Sequence, residues 1–301
     1  MKLSNRSRSI LQPIWDLLQY CKRRLIWTKL RLLTASGEML SFRCNICGHR
    51  TSFPRTLMSR EHWSCANCSS TVRWRSIIHV LSVELFGEGL ALCDFPTKKD
   101  ICGVGLSDWR GYASRLKKRL AYTNTYYHKP PFLDIANIDE SQHNLYDFII
   151  SSDVFEHVCA PVSRVFENAC RLLKPGGVLI LTVPYVEGET AEHFPDTREF
   201  SLVQREGQYV LLGNTSDGRT EEFTNLTFHG GPGTTVEFRV FGKDALVRDC
   251  KNAGFEPIRI HSESLERFGI VWIPYDPQKA GYFPIIQGLD SPPWALVKPI
   301  R

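Results

Sequence analysis

Asp147–Pro184 reads DFIISSDVFEHVCAPVSRVFENACRLLKPGGVLILTVP. Its two apolar runs, Phe148–Ile150 and Val178–Val183, lack alternation, the pattern of strands buried on both faces of a parallel sheet. Between them Val162, Val165, Phe166, Ala169, Leu172 and Leu173 recur at helical spacing, and Lys174-Pro175-Gly176-Gly177 supplies a stop. Strand, helix and strand in about forty residues make one right-handed crossover unit. Ser151, Ser152 and Asp153 fall at the carboxyl end of the first strand, where open α/β sheets bind ligands. The predicted fold class is therefore α/β, a doubly wound, Rossmann-like sheet.

Upstream, Lys99–Asp108 reads as a short strand entering a glycine-bearing turn at Gly103 and Gly105, followed by a helix over Trp109–Leu120. Glycines there let the backbone approach a ligand that faces a helix N-terminus. Against a dinucleotide fingerprint the third glycine is replaced by Asp108, and the expected ribose-binding acid is absent from Tyr122–Thr125, which disfavours a dehydrogenase. A second strand is predicted over Ala121–Thr125 and a third over Pro130–Ile135. Asp134, followed by the apolar Ile135, would accept from an adenine amino group at the end of that third strand; capping a loop turn is the plain alternative.

Downstream of Pro184, residues 185–238 form a long insertion at the ligand-binding edge, read as a substrate-covering region. A helix over Lys243–Asn252, a strand over Phe255–Ile260 and a final antiparallel strand over Pro293–Val297 complete the sheet, with residues 263–291 as a further loop. Three histidines, His157, His193 and His229, are the candidates for a general base titrating near neutrality.

The amino-terminal third is different in kind. Residues 1–40 form a basic segment in which Ile10, Ile14, Leu17, Leu18, Leu25 and Ile26 alternate with charge. It reads as an amphipathic helix that contacts a membrane surface or a partner, or packs on the body. Charges interrupt its apolar stretch and no small-residue cleavage site follows, so it is not a secretory signal. Residues 41–95 carry Cys44-x-x-Cys47 and Cys65-x-x-Cys68, two knuckles that can close a tetrahedral thiolate site for a structural zinc ion. Arg43, Arg50, Arg55 and Arg60 give this ribbon a basic face, and Trp74, Ile77, Ile78, Leu81 and Leu85 mark a helix that links it onward. The formal net charge of +5 is concentrated in residues 1–31, with eight Lys and Arg against Asp16 alone, so the body is not basic as a dedicated nucleic-acid binder would be. Ten cysteines, four of them in the two pairs, fit a reducing, cytoplasmic setting, with peripheral contact at the inner membrane face through the basic terminus.

Within a larger domain spanning residues 96–301, roughly residues 98–262 resemble class I S-adenosylmethionine-dependent methyltransferases. YDFIISSDVFEHV and RLLKPGGVLILTVP are similar to the family's fourth and fifth strand motifs, KDICGVGLSD to its first and LDI to its adenine-contact motif. GLSDWRGYASRL, YTNTYYHKPPFLDI and HGGPGTTVEFRVFGKDAL resemble a bacterial branch with an N-terminal cysteine ribbon, associated with glycan or small-metabolite modification. The resemblance implies S-adenosylmethionine as cofactor, with Gly103 and Gly105 at its methionine and ribose, Asn124 at the ribose, Asp134 and Ile135 at the adenine, and Ser152 and Asp153 beside the sulfonium. It implies methyl transfer to a hydroxyl or similar nucleophile of a sugar, glycolipid or small metabolite. The alternatives are an RNA methyltransferase docking through the ribbon and an inactive scaffold of the same fold.

Overall fold

The computed structural model describes residues 38–272 and 291–300. Most of the predicted basic N-terminal segment lies outside the described residues, as does much of the loop predicted over 263–291. In chain order the chain forms β1 (Met39–Arg43), β2 (Arg50–Pro54), α1 (Val72–Phe86), β3 (Lys98–Leu106), α2 (Arg110–Arg119) and β4 (Leu120–Thr125). Next come β5 (Tyr146–Ser152), α3 (Ser163–Leu172), β6 (Leu173–Thr182), β7 (Tyr185–Val186) and β8 (Ala191–Glu192). A meander follows, β9 (Thr197–Arg205), β10 (Gln208–Thr215) and β11 (Thr220–Phe223), then β12 (Phe228–His229), β13 (Thr235–Val236) and β14 (Arg239–Gly242). The chain closes with α4 (Lys243–Asn252), β15 (Ile258–Ile260) and β16 (Trp294–Val297).

The central sheet has six strands in the order β15-β16-β6-β5-β3-β4. Strands β3 to β6 are parallel, and β16 runs antiparallel to both β6 and β15. Phe148, Ile149 and Ile150 are fully buried, as the unalternating run requires of a strand covered on both faces. The predicted third strand over Pro130–Ile135 is not formed. Only a single parallel bridge joins Tyr126 to Phe132, because Pro130 and Pro131 bring no N–H to a ladder.

The cysteine module is a two-stranded hairpin, β1 and β2, with the first knuckle at its turn and Gly48 there at φ +80. Helix α1 starts at an N-cap, the Thr71 hydroxyl accepting from the Trp74 N–H, and stops at left-handed Gly87. The module is not a separate bead. Phe42, Phe53, Ile77 and Leu81 share one hydrophobic core with Tyr112, Phe148, Ile150 and Ile180 on one face of the sheet. The other face is covered by α3 and α4 through Val165, Phe166, Leu172 and Leu246. Each such side chain, buried, stabilises by roughly 1.5–3 kcal/mol, so module and sheet stand as one cooperative body.

Candidate functional site

A cleft of about 960 Å³ opens over the carboxyl ends of β3, β4 and β5. Leu106–Trp109, Leu133–Asn137 and Ser152–Val154 form its inner wall, and Arg198–Phe200, Leu202, His229 and Thr234–Val236 of the insertion form its outer wall. At its floor the indole of Trp109 stacks on that of Trp74, 4.1 Å between centroids and nearly parallel, so helix α1 of the cysteine module reaches the cleft.

Gly103 and Gly105 are not in the turn. Both lie inside β3, paired with Phe148 and Ile150 of β5, and neither lines the cleft. A side chain on Gly103 would collide with the Phe148 ring, and one on Gly105 with the Tyr122 hydroxyl and the Asp108 carboxyl. These glycines serve packing across the sheet. The turn itself is Ser107–Trp109, with Ser107 at φ +59.

Asn124 also stands back from the cleft. Its Oδ1 accepts from the Asp108 N–H at 2.9 Å, and its Nδ2 donates to the Asp108 carbonyl at 2.8 Å and the Tyr126 hydroxyl at 3.2 Å. An amide can accept from an N–H and donate to a carbonyl together, which a carboxylate cannot. Asn124 clamps the turn that forms the cleft's inner lip.

Asp108 is buried at that lip, receives a hydrogen bond from the Tyr122 hydroxyl, and leaves Oδ1 without a partner. Burial pushes its carboxyl up to about 7, against the opposing pull of the Tyr122 and Tyr112 hydroxyls. Asp134 lines the cleft and also caps a turn, accepting from the Ala136 N–H and the Asn137 amide, each at 2.9 Å. Each of its oxygens retains a further lone pair, and Ile135 and Leu133 supply apolar surface beside it.

Ser152 and Asp153 sit at the end of β5, as predicted. Asp153 adopts φ +53, held by its N–H on the Thr182 carbonyl at 2.9 Å. Its carboxylate is saturated from within the protein. Arg60 donates to both oxygens, at 2.9 and 2.5 Å, Arg73 lies 3.2 Å away, and the Thr182 hydroxyl donates at 3.0 Å. Arg73 also donates to the Ser152 hydroxyl and makes two 2.7 Å bonds to Glu61. Burial would raise the Asp153 carboxyl, but the two guanidiniums outweigh it and hold it below the ordinary range. Arg60 was expected on a basic surface of the ribbon; it is buried instead, and the sequence carries no sign of a partner ninety-three residues away. The result is a four-charge lattice, Arg60, Glu61, Arg73 and Asp153, that fastens the cysteine module to the cleft.

The three histidines separate. His157 and His229 meet at the cleft, with Nε2 of the first 3.3 Å from Nδ1 of the second, and burial pushes His157 down to about 4. His193 lies elsewhere, in a smaller groove with Phe194 and Glu222. Glu156 was not anticipated: it is buried beside His157, and its only sequence sign is an acid next to Phe155 shortly after the strand.

In the cysteine module the four sulfurs converge. Cys44 and Cys68 are 3.7 Å apart, as are Cys47 and Cys65. A tetrahedron with metal–sulfur bonds of about 2.3 Å has edges of about 3.8 Å, so the donor set fits zinc as found. The fully buried Arg75 supports this. Its hydrogen bonds go to Ser64, Ser70 and the Gly269 carbonyl, none to a carboxylate, and Ser70 Oγ is 3.3 Å from Cys44 Sγ. Such a cation needs a nearby anion, which four thiolates around one dication provide.

The profile of a family described as a methyltransferase domain matches residues 87–260. Among curated proteins nothing matches. Among solved structures, a sugar N-methyltransferase from Streptoalloteichus aligns over 77% of this chain and 88% of its own, at 10% identity and a TM-score of 0.41. The 1,6-didemethyltoxoflavin-N1-methyltransferase of Burkholderia thailandensis aligns over 99% and 92%, at 12% identity and a TM-score of 0.40. An amino pentose methyltransferase from Micromonospora echinaspora aligns over 76% and 92%, at 11% identity and a TM-score of 0.38.

Proposed function

This chain belongs to the methyltransferase-domain family and is an S-adenosylmethionine-dependent methyltransferase, and we propose that its acceptor is a hydroxyl or similar nucleophile of a sugar, glycolipid or small metabolite. The observation that carries the reading is the enclosure of the cleft by the chain's own insertion. At about 960 Å³ it matches a cofactor with a small acceptor. Its outer part combines the exposed rings of Tyr127 and Phe200 with the hydroxyls of Thr234 and Thr235 and the charges of Arg198 and Glu199. Aromatic faces beside hydrogen-bonding groups suit a polyhydroxylated ring.

The Ser107–Trp109 turn, Asp134 to Ala136, and Ser152 to Val154 are the segments that would hold the cofactor. The free lone pairs of Asp134 are polar groups at this wall that a cofactor's donors would satisfy. When bound, S-adenosylmethionine supplies an electrophilic methyl group, and in-line displacement makes alignment the principal requirement. The Asn124 clamp and the Asp153 lattice fix the two inner segments on rigid strands. His157 and His229 face the acceptor end, the first from the single 3-10 turn Phe155–His157 and the second from the insertion.

We infer that Cys44, Cys47, Cys65 and Cys68 hold a structural zinc. Its work is architectural: it shapes the knuckles that carry Arg60 and Arg73 to Asp153. The ribbon arginines are spent in this way. Arg43 pairs with Asp94, Arg55 with Glu266 and Arg60 with Asp153, leaving Arg50 as the one without a carboxylate partner among the described residues. That favours a small acceptor over RNA. No helix among the described residues is long and apolar enough to cross a membrane. The test is transfer of labelled methyl from S-adenosylmethionine to polysaccharide, lipid, small-molecule and RNA fractions of the host. Label in a carbohydrate-bearing or small-molecule fraction is expected; label in RNA alone overturns the reading.

A further inference from the structure

Glu156 is buried, and neither of its carboxylate oxygens receives a hydrogen bond. An unsatisfied buried carboxyl costs several kcal/mol, so the site lacks something. The surrounding cations do not supply it. Arg60 and Arg73 are committed to Asp153 and Glu61; Arg239 bonds Glu192 and the carbonyls of Phe155 and Val158, and its remaining Nη2 makes no hydrogen bond to Glu156.

The next residue, His157, has Nδ1 at 2.8 Å from the Val236 carbonyl. Nδ1 therefore carries the proton and Nε2 presents a lone pair. That Nε2 is 3.8 Å from Glu156 Oε1 and 3.3 Å from His229 Nδ1. All three ligand atoms lie within 4.8 Å of one another. One carboxylate oxygen and two ring nitrogens thus converge on one point.

We propose that Glu156, His157 and His229 bind a divalent transition-metal cation at the base of the cleft. Two imidazoles and a carboxylate suit zinc, manganese, iron, cobalt or nickel. The Val236 carbonyl behind His157 is the outer contact that fixes the tautomer and aims the ring of a metal-binding histidine. Bonds of about 2.1 Å place neighbouring ligand atoms roughly 3–3.5 Å apart. The 3.3 and 3.8 Å separations are close to that, and the remaining pair lies within 4.8 Å. His157 and His229 line the cleft while Glu156 stands behind them, so the site is closed on the protein side and open toward the acceptor. Its use rests on the methyl-transfer reading: a cation there would make a neighbouring acceptor hydroxyl more acidic. Its binding does not depend on that reading.

The test is equilibrium dialysis of the zinc-loaded full-length chain against cobalt(II), with absorption spectra. Wild-type protein is expected to take up one cobalt per chain, with no thiolate charge-transfer band, which separates this site from the cysteines. Glu156→Gln and His229→Gln are each expected to weaken uptake at least tenfold, and binding of S-adenosylhomocysteine by the same samples verifies folding. No saturable uptake by wild type, or uptake unchanged in both variants, overturns the metal site. If wild type meanwhile binds S-adenosylhomocysteine, the methyltransferase reading stands and only the metal falls.

Discussion

Replacing Arg60 tests the join between cysteine module and cleft. The Arg60 side chain is 7% exposed and that of Asp153 3%. Breaking a buried ion pair by removing one partner typically costs about 3–5 kcal/mol, because the remaining charge is left buried. Here Asp153 keeps Arg73 at 3.2 Å and the Thr182 hydroxyl at 3.0 Å, so Arg60→Met is expected near the lower end, about 3 kcal/mol. Asp153→Asn leaves two guanidiniums facing a neutral amide and should cost a similar amount. In a double-mutant cycle, read by urea denaturation, the pair should couple by about 1.5–3 kcal/mol, since residues in one charge network are not additive. Affinity for S-adenosylhomocysteine should fall about tenfold in Arg60→Met, equivalent to about 1.4 kcal/mol, although Arg60 lies outside the cleft wall. A coupling below about 0.5 kcal/mol, within the additivity of independent sites, would refute the lattice as the fastening.

Asn124→Ala removes the clamp on the Ser107–Trp109 turn, three hydrogen bonds worth roughly 2 kcal/mol net, and Asn124→Asp should also weaken cofactor binding by calorimetry because a carboxylate cannot donate to the Asp108 carbonyl. Asp108, ordinarily near 3.8 and pushed up to about 7, binds its proton more tightly folded than unfolded, so it contributes stability that is present below about pH 4 and lost as pH rises through 7. Asp108→Asn should remove that slope and be more stable than wild type at pH 8 by up to roughly 4 kcal/mol, seen as a higher denaturation midpoint; a lower one would refute it. Cys65→Ser should release the tightly held zinc, from about one per chain to near none by metal analysis, and lower the melting temperature of the whole chain, since module and sheet share a core.

The scaffold was legible where burial alone decides conformation. Phe148–Ile150 and Val178–Val183 read as doubly covered strands and are, and Lys243–Asn252 is a helix with the residues predicted. The third strand does not form despite the apolar content of Phe132–Ile135, because Pro130 and Pro131 have no N–H groups. Gly103 and Gly105 misled because glycine is used both for turns and for close packing, and only the Phe148 and Tyr122 contacts distinguish the two. At the cleft, Asp134, Ile135, Ser152, Asp153, His157 and His229 were brought together. The groups that govern them, Arg60, Arg73 and Glu156, act across long sequence separations or from burial, neither of which leaves a local pattern.

The central claim is that this cleft binds the S-adenosyl cofactor, and titration calorimetry of the full-length chain with S-adenosylhomocysteine tests it most directly. One site per chain with a dissociation constant below about 100 μM, some −5.5 kcal/mol, is the predicted result, weakened by Asn124→Ala and by Arg60→Met. Absence of binding at millimolar ligand to folded, zinc-containing protein would contradict the account.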